Sequence, residues 1–200
     1  KLKRVTRVSD VYGSKAQGVP FISQHTGGIC LDFDPFDPNI YLVGTEDATI
    51  HRCATTYSEQ YLQTFHGHCG PVYTVQHNPF DSDIFISCSA DWSVKIWDSK
   101  NKSGEPLLSF ESTSDTDSSP VMDVCWSTTV STIFGSVSAM GAVQIWDINK
   151  STINPIISIE RKGTRFTKIL FTKNSPAILV GDSNGNIEVL KLAGISGEDV

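Results

Sequence analysis

The residues best suited to a shared chemistry are His68, Ser87, Asp91 and Trp97, with Ser87 ten positions and Asp91 six positions before the tryptophan. A carboxylate can accept a hydrogen bond from an imidazole, the imidazole can bond a hydroxyl, and the hydroxyl can accept the indole N–H. Linked in this order, every polar group has a partner even when it is buried. We therefore predict a structural polar chain, in preference to a chance turn at Gly67-His68 beside an ordinary core tryptophan.

Short apolar, β-branched runs separated by turn residues must position these side chains. We predict strands at residues 72–76, 84–89 and 93–97, with turns at 78–83 and 90–91. The histidine then precedes the first strand, the serine lies on the second, the aspartate lies in the tight turn, and the tryptophan lies on the third.

This three-strand pattern recurs along the chain. Cys53 stands 44 residues before Trp97, Trp146 stands 49 residues after it, and Leu190 stands 44 residues after Trp146. We predict four units, at residues 29–66 (degenerate), 67–111, 112–160 (with an acidic loop) and 161–192 (the last). Residues 1–28 are predicted to be a connector or the outer strand of a preceding unit, and 193–200 a tail. Outer strands are predicted at residues 61–65, 106–110 and 155–159.

The other units keep only part of the polar chain. In the third unit Ser136 keeps the place of the serine, while Met140 replaces the aspartate and Asp117 stands where the histidine would be. Cys53 and Leu190 replace the tryptophan in the first and fourth units. The complete polar chain is therefore predicted in the second unit alone.

The composition indicates a soluble globular protein, because 39% of the residues are hydrophobic and 19% are charged. The net charge of −6 and the pI near 5.3 argue against nucleic-acid binding. No apolar run approaches about 20 residues and no secretory leader is visible, so we predict no membrane partner. Five cysteines, an odd number, predict reduced, buried thiols in a cytosolic compartment. A chain that begins at Lys1 without methionine is expected to be part of a longer protein.

Two groups of side chains suggest a reactive site, and neither is convincing. Asp32, Asp34 and Asp37 resemble paired carboxylates for acid–base catalysis, but the neighbouring prolines favour turn residues. The second group contains residues that can bind a metal: His51, Cys53, His66, His68 and Cys69. It has no second closely spaced ligand pair, and the chain has no Gly-rich phosphate loop with lysine. We predict no catalytic site, no metal site and no cofactor.

The Gly-His and Trp-Asp pairs that bound residues 67–98, and a period close to the ~40–45 residues of WD40 repeats, resemble a WD40 blade. The implied fold is all-β: a WD40 β-propeller, of which this chain supplies about four C-terminal blades of a larger, seven-bladed ring. Several blades are then expected to precede Lys1.

A narrower resemblance lies in the runs 42–47 (LVGTED), 87–98 (SCSADWSVKIWD) and 179–182 (LVGD), with Gly27-Gly28 before the first strand. Together they are similar to dynein intermediate chains, especially axonemal ones. The resemblance implies a non-catalytic scaffold whose propeller binds the dynein heavy-chain tail, beside other intermediate and light chains. It implies a location in the cytoplasm, at the cytoskeleton of the ciliary axoneme. The alternative is a WD40 adaptor of another large assembly, such as cytoplasmic dynein or an intraflagellar transport complex. A propeller enzyme is disfavoured.

Trp92, Tyr73 and Arg165 are the candidate partner-binding residues, because they fall on the rim that carries the His68 loop, where WD40 propellers usually bind partners. An aromatic side chain there suits an interface hot spot. The alternative, that Trp92 packs over a neighbouring blade, stays open. The acidic loop at residues 111–119 is interpreted as a solvated linker. Its Ser119-Pro120 step is a possible phosphorylation site, which would add roughly −1.5 to −2 charges.

Overall fold

The computed structural model describes residues 2–6, 22–57, 61–111 and 119–193, and within them every regular element is a β-strand. In these ranges no helix is long and apolar enough to cross a membrane. The strands form one two-stranded sheet and four larger antiparallel sheets.

The strands of each sheet follow one another in the chain. The two-stranded sheet pairs β1 (Leu2–Thr6) with β2 (Ile22–Thr26). The first larger sheet contains β3 (Gly28–Phe33), β4 (Ile40–Thr45), β5 (Thr49–Ala54) and β6 (Gln63–His66). The second contains β7 (Val72–His77), β8 (Ile84–Ser89), β9 (Ser93–Asp98) and β10 (Leu108–Glu111). The third contains β11 (Val121–Trp126), β12 (Ile133–Ser138), β13 (Ala142–Asp147) and β14 (Ile157–Glu160). The fourth contains β15 (Phe166–Phe171), β16 (Ala177–Asp182) and β17 (Ile187–Lys191).

The four larger sheets pack in chain order around their first strands. Strand β3 contacts β7, β7 contacts β11, and β11 contacts β15. Strand β12 is buried along its whole length because neighbouring sheets cover both of its faces. The predicted all-β fold is confirmed, with the radial sheet arrangement of part of a WD40 propeller. The number of blades in the whole ring stays a prediction.

An apolar cluster lies between each pair of neighbouring sheets. In two of these clusters the same aromatic pair recurs. Phe85 stacks on Trp97 and Phe134 stacks on Trp146, each with ring centroids 6.0 Å apart and planes within 8°. Such pairs add to the burial of a large aromatic surface. In the second and third sheets, the tryptophan of the third strand therefore packs on the phenylalanine of the second strand of the same sheet.

Polar side chains also join the inner strands of neighbouring sheets. The Asp32 carboxylate on β3 accepts the backbone N–H of His77 on β7 at 2.7 Å and lies 2.9 Å from the imidazole Nδ1. Gln76 Oε1 accepts the N–H of Trp126 at 2.8 Å. The prediction that Asp32 is a turn residue is wrong, because its side chain points from a strand to the next sheet. Asp34, by contrast, accepts turn N–H groups as predicted.

Two boundary predictions need correction. Each outer strand begins two residues later than predicted, at Gln63, Leu108 and Ile157. In the second and third sheets the predicted first residue is a proline, which has no N–H for the ladder. The predicted boundary at residue 28 falls inside β3, which begins at Gly28, and residues 1–28, predicted to be a connector or the outer strand of a preceding unit, contain the paired strands β1 and β2.

Candidate functional site

The four side chains of the predicted polar chain lie together in the second sheet. His68 Nδ1 lies 2.9 Å from Asp91 Oδ2, and His68 Nε2 lies 2.7 Å from Ser87 Oγ. The Trp97 indole N–H donates to the same Ser87 oxygen at 2.8 Å. His68, Ser87 and Trp97 are buried, and Asp91 is half-buried. The chain thus links a loop, a turn and two strands.

The local sequence shapes this site at two points. Gly67 has a φ of +156°, and a Cβ there would lie 3.1 Å from the Trp97 ring, so glycine lets the loop pass close to the indole. Asp91 also accepts the Cys69 N–H at 2.9 Å and the Ser93 hydroxyl at 2.7 Å. Burial alone would raise the pKa of Asp91, but the hydrogen bonds from His68, Cys69 and Ser93 hold it well below its ordinary range.

This arrangement is structural in character although it contains an aspartate, a histidine and a serine. Ser87 has no exposed surface, so a substrate has no access to its hydroxyl. The hydroxyl already accepts the indole N–H and bonds the imidazole. What the set can do is satisfy buried donors and fix the loop against the sheet.

The neighbouring sheets carry shortened or different versions of this chain. In the third sheet Trp146 donates to Ser136 at 3.2 Å, and Met140 occupies the turn position of the aspartate. Asp117, predicted in place of the histidine, lies outside the described residues. The first sheet has a chain that the sequence reasoning missed, in which hydroxyl–hydroxyl and hydroxyl–imidazole contacts of 2.9–3.2 Å run through Thr45, Thr49, His51 and Thr64. The available signal was a histidine flanked by threonines on facing strands.

The side chains that the sequence suggests as metal ligands do not form a group of three or more in the described residues. Within the described part of the chain, no three His, Cys, Asp or Glu side chains converge as they would around a metal ion. The predicted buried thiols are found at Cys53, Cys88 and Cys125, whereas Cys30 is half-buried. Burial raises the pKa of Cys30 and of Cys53 to about 11. The prediction is wrong for Cys69, which is exposed in the loop after His68.

One edge of the four sheets, which we call the upper rim, carries the starts of the inner strands and the turns between the second and third strands. At this edge the carbonyls of Gly27, Pro71, Pro120 and Arg165 accept the N–H groups of Glu46, Ala90, Ala139 and Ser183, at 2.9–3.0 Å. The upper rim is therefore built in the same way in each sheet, with different side chains attached.

The three predicted rim residues differ in their accessibility. Trp92 is 48% exposed and has a φ of +69°, a left-handed conformation that costs a non-glycine residue roughly 1–2 kcal/mol. Arg165 is exposed, and its Nη2 lies 3.8 Å from Met122 Sδ. Tyr73 is partly buried against the cluster between the second and third sheets. Trp92 and Arg165 therefore offer more surface to a partner than Tyr73 does.

The acidic segment is only partly described. Glu111 is the last residue of β10 rather than part of the loop, and residues 112–118 lie outside the described ranges. Ser119 is 4% exposed. Phosphorylation of Ser119 would therefore require this buried residue to become accessible, and it stays a prediction.

Known proteins are similar to this chain in one repeat and over most of its length. The family described as WD domain, G-beta repeat, matches residues 59–98. A dynein axonemal intermediate chain 4 of Homo sapiens is 45% identical over 96% of this chain and 22% of its own length. The dynein intermediate chain 2, ciliary, of Heliocidaris crassispina is 43% identical over 83% of this chain and 23% of its own length. A dynein axonemal intermediate chain 1 of Bos taurus is 34% identical over 92% of this chain and 26% of its own length.

The chain spans less than a third of the length of these relatives. The matched WD domain covers His68, Ser87, Asp91 and Trp97 and so contains the complete polar chain. The predicted resemblance is therefore confirmed: residues 59–98 match the WD40 repeat family, and 96% of the chain is similar to an axonemal dynein intermediate chain.

Proposed function

We propose that the chain is part of a non-catalytic scaffold subunit of an axonemal dynein arm. Its propeller binds the tail of a dynein heavy chain and thereby supports ciliary motility. In the complex it lies beside other dynein intermediate and light chains, in the axoneme of the cilium. The observation that carries this proposal is the 45% identity to an axonemal dynein intermediate chain over 96% of the chain.

The physical character of the fold supports a scaffold. The residues most suited to chemistry, Ser87 and His68, are buried and bonded to each other. The sheets are joined by packed aromatic clusters and by side chains such as Asp32 that reach from one sheet to the next. A rigid body presents its rim loops in one geometry, so binding a partner costs little further ordering.

The upper rim, with Trp92, Tyr73 and Arg165, is the proposed binding surface. Trp92 stays in a left-handed turn position where the corresponding residues of the third and fourth sheets are Gly141 and Gly185, with φ of +88° and +87°. A strained, half-exposed tryptophan calls for a functional reason, since glycine would fit this backbone without strain. Tryptophan and arginine are enriched among residues that dominate binding energy. Partner binding supplies such a reason.

The test is a pull-down from ciliary extract with the tagged full-length protein, read by mass spectrometry. Wild type is compared with Trp92→Ala and with Phe80→Ala, a matched control. Phe80 is also 48% exposed but lies in the turn between the first and second strands, on the opposite edge of the second sheet. We expect wild type and Phe80→Ala to recover axonemal heavy chains and Trp92→Ala to recover few.

Two other outcomes are informative. Equal recovery of heavy chains by all three proteins would keep the dynein assignment and move the binding surface away from Trp92. Recovery of a cytoplasmic dynein or an intraflagellar transport complex instead would favour the alternative of a general WD40 adaptor.

A further inference from the structure

The chain has two methionines, and their surroundings differ. Met140 lies on the upper rim, in the turn between β12 and β13, and is 56% exposed. Met122, on β11, is partly buried, and the Arg165 Nη2 lies 3.8 Å from its sulfur. Met140 belongs to neither of the apolar clusters that flank the third sheet. Its side chain is therefore largely open to solvent, whereas that of Met122 is partly covered.

The backbone around Met140 is held in place by its neighbours. The Gly141 N–H donates to the Ser138 carbonyl at 3.2 Å, and the Gly141 carbonyl accepts the Arg161 N–H at 2.8 Å. Gly141 has a φ of +88°, and a Cβ there would lie 2.6 Å from the Thr164 carbonyl oxygen. Glycine therefore lets the loop before β15 pack closely against this turn. The exposure of Met140 follows from a turn that is bonded on both sides.

Met140 also differs in chemistry from the residue at the same position of the second sheet. There the Asp91 carboxylate bonds His68 and the Cys69 N–H. A thioether is only a weak acceptor, so methionine keeps the flexible, apolar character that suits it to binding surfaces. Trp92, 48% exposed, lies in the matching turn of the second sheet. Neighbouring turns of the upper rim thus each present an apolar side chain.

A peroxide can oxidise an exposed thioether without help from another protein group. A lone pair of the sulfur attacks one peroxide oxygen, the O–O bond breaks and an S–O bond forms. The other oxygen takes up the proton and leaves as water, so the sulfur loses the two electrons that the peroxide gains. The product, methionine sulfoxide, is polar, and dedicated reductases restore the thioether.

We propose that Met140 is a reversible oxidation site that regulates partner binding at the upper rim. In the free protein peroxide converts Met140 before Met122, because Met140 is the more exposed. The sulfoxide oxygen is strongly hydrated, and a partner that covers it with apolar groups removes this water without replacing its hydrogen bonds. The oxidised rim therefore binds the partner more weakly, and a bound partner shields Met140 from peroxide. This inference rests on the proposed function, because the partner is the one proposed there.

The first test measures the order of oxidation and needs no partner. The full-length protein is treated with increasing hydrogen peroxide, and the peptides that contain Met140 and Met122 are followed by mass spectrometry for the addition of one oxygen. Met122 serves as the internal control. We expect Met140 to be converted several times faster than Met122. Equal rates, or a slower rate for Met140, would overturn the inference.

The second test is the pull-down after oxidation, with the peroxide removed before the extract is added. It uses a Cys69→Ala background, because the Cys69 thiol is also exposed and reacts with peroxide. The protein with Met140 is compared with Met140→Leu, an apolar replacement that forms no sulfoxide. Relative to its own untreated sample, we expect heavy-chain recovery to fall about tenfold with Met140 and little with Met140→Leu. Reductases for both sulfoxide epimers, with dithiothreitol as electron donor, should restore recovery.

The outcomes separate this inference from the proposed function. Unchanged recovery after complete conversion of Met140 would overturn the inference, and so would an equal loss in Met140→Leu. Both results would leave the proposed function intact, because heavy chains would still be recovered from the untreated protein. Absence of heavy chains from the untreated wild type would contradict the proposed function and, with it, the regulation of binding.

Discussion

Replacing His68 by alanine tests the polar chain at its centre. The change removes a bond to the Asp91 carboxylate and a bond to the Ser87 hydroxyl, at 2.9 and 2.7 Å. Asp91 keeps the Cys69 N–H and the Ser93 hydroxyl, and Ser87 keeps the Trp97 indole. Because each neighbour keeps another partner, neither is left wholly unsatisfied. We expect the free energy of unfolding to fall by about 1–3 kcal/mol.

Trp97→Ala sets the scale for that loss. Trp97 has no exposed surface and packs on Phe65 and Phe85, so its removal opens a large cavity. We expect a cost of about 3–5 kcal/mol. His68→Ala should therefore lower the melting temperature of the full-length protein by less than Trp97→Ala does.

A double-mutant cycle with His68→Ala and Ser87→Ala isolates the bond between the two residues. Coupled neighbours show interaction energies of about 0.5–3 kcal/mol. Cys69→Ala is the matched control, because Cys69 adjoins His68 and its side chain is exposed. Additive effects of the two changes, or a shift near zero for His68→Ala, would refute the reasoning that the histidine links the carboxylate to the hydroxyl.

Three further predictions concern turns, buried charge and pH. Ala48 has a φ of +62°, so Ala48→Gly should raise the free energy of unfolding by about 0.5 kcal/mol in a thermal melt, whereas Ala90→Gly in the matching turn of the next sheet should lower it. Asp123 is 1% exposed, and its carboxylate bonds Thr74, Lys168 and the Ile169 N–H. Asp123→Ala should therefore lower the free energy of unfolding by roughly 3 kcal/mol. An unchanged midpoint in denaturant unfolding would contradict a stabilising role for this buried carboxylate. Because the pKa of Asp91 is held below its ordinary value of 3.8, the stability that its carboxylate contributes is complete above that pH and is lost as the pH falls further. Asp91→Asn should therefore weaken the pH dependence of the melting temperature below pH 4. Parallel wild-type and mutant curves of melting temperature against pH would contradict this role of Asp91.

The contacts that follow from spacing within one unit could be predicted from the sequence. The serine and the aspartate stand at fixed offsets from Trp97, and hydrogen-bonding chemistry supplies the order in which they are linked. The threonine–histidine chain around His51 could not be predicted in this way, because it follows no repeated spacing.

Contacts between units were harder to predict. Asp32 bonds a residue 45 positions away, and this pairing depends on how two sheets stack rather than on any local pattern. The only sequence signal for the left-handed φ of Trp92 is its position, because glycine is usual at this place in such turns. Its half-exposure depends on the packing of the whole sheet and has no sequence signal of its own.

The bonds between neighbouring inner strands have a consequence for which substitutions the fold tolerates. In three of them a side chain, that of Asp32, Gln76 or Asp123, accepts a backbone N–H of the next sheet. To these three bonds the donating position contributes its main chain, which every residue except proline can supply. The donor side chains are constrained separately, because the His77 imidazole lies 2.9 Å from Asp32 and Trp126 and Ile169 are buried in the clusters between the sheets. The main-chain bond itself can persist when a donor side chain changes, whereas loss of the accepting side chain removes it.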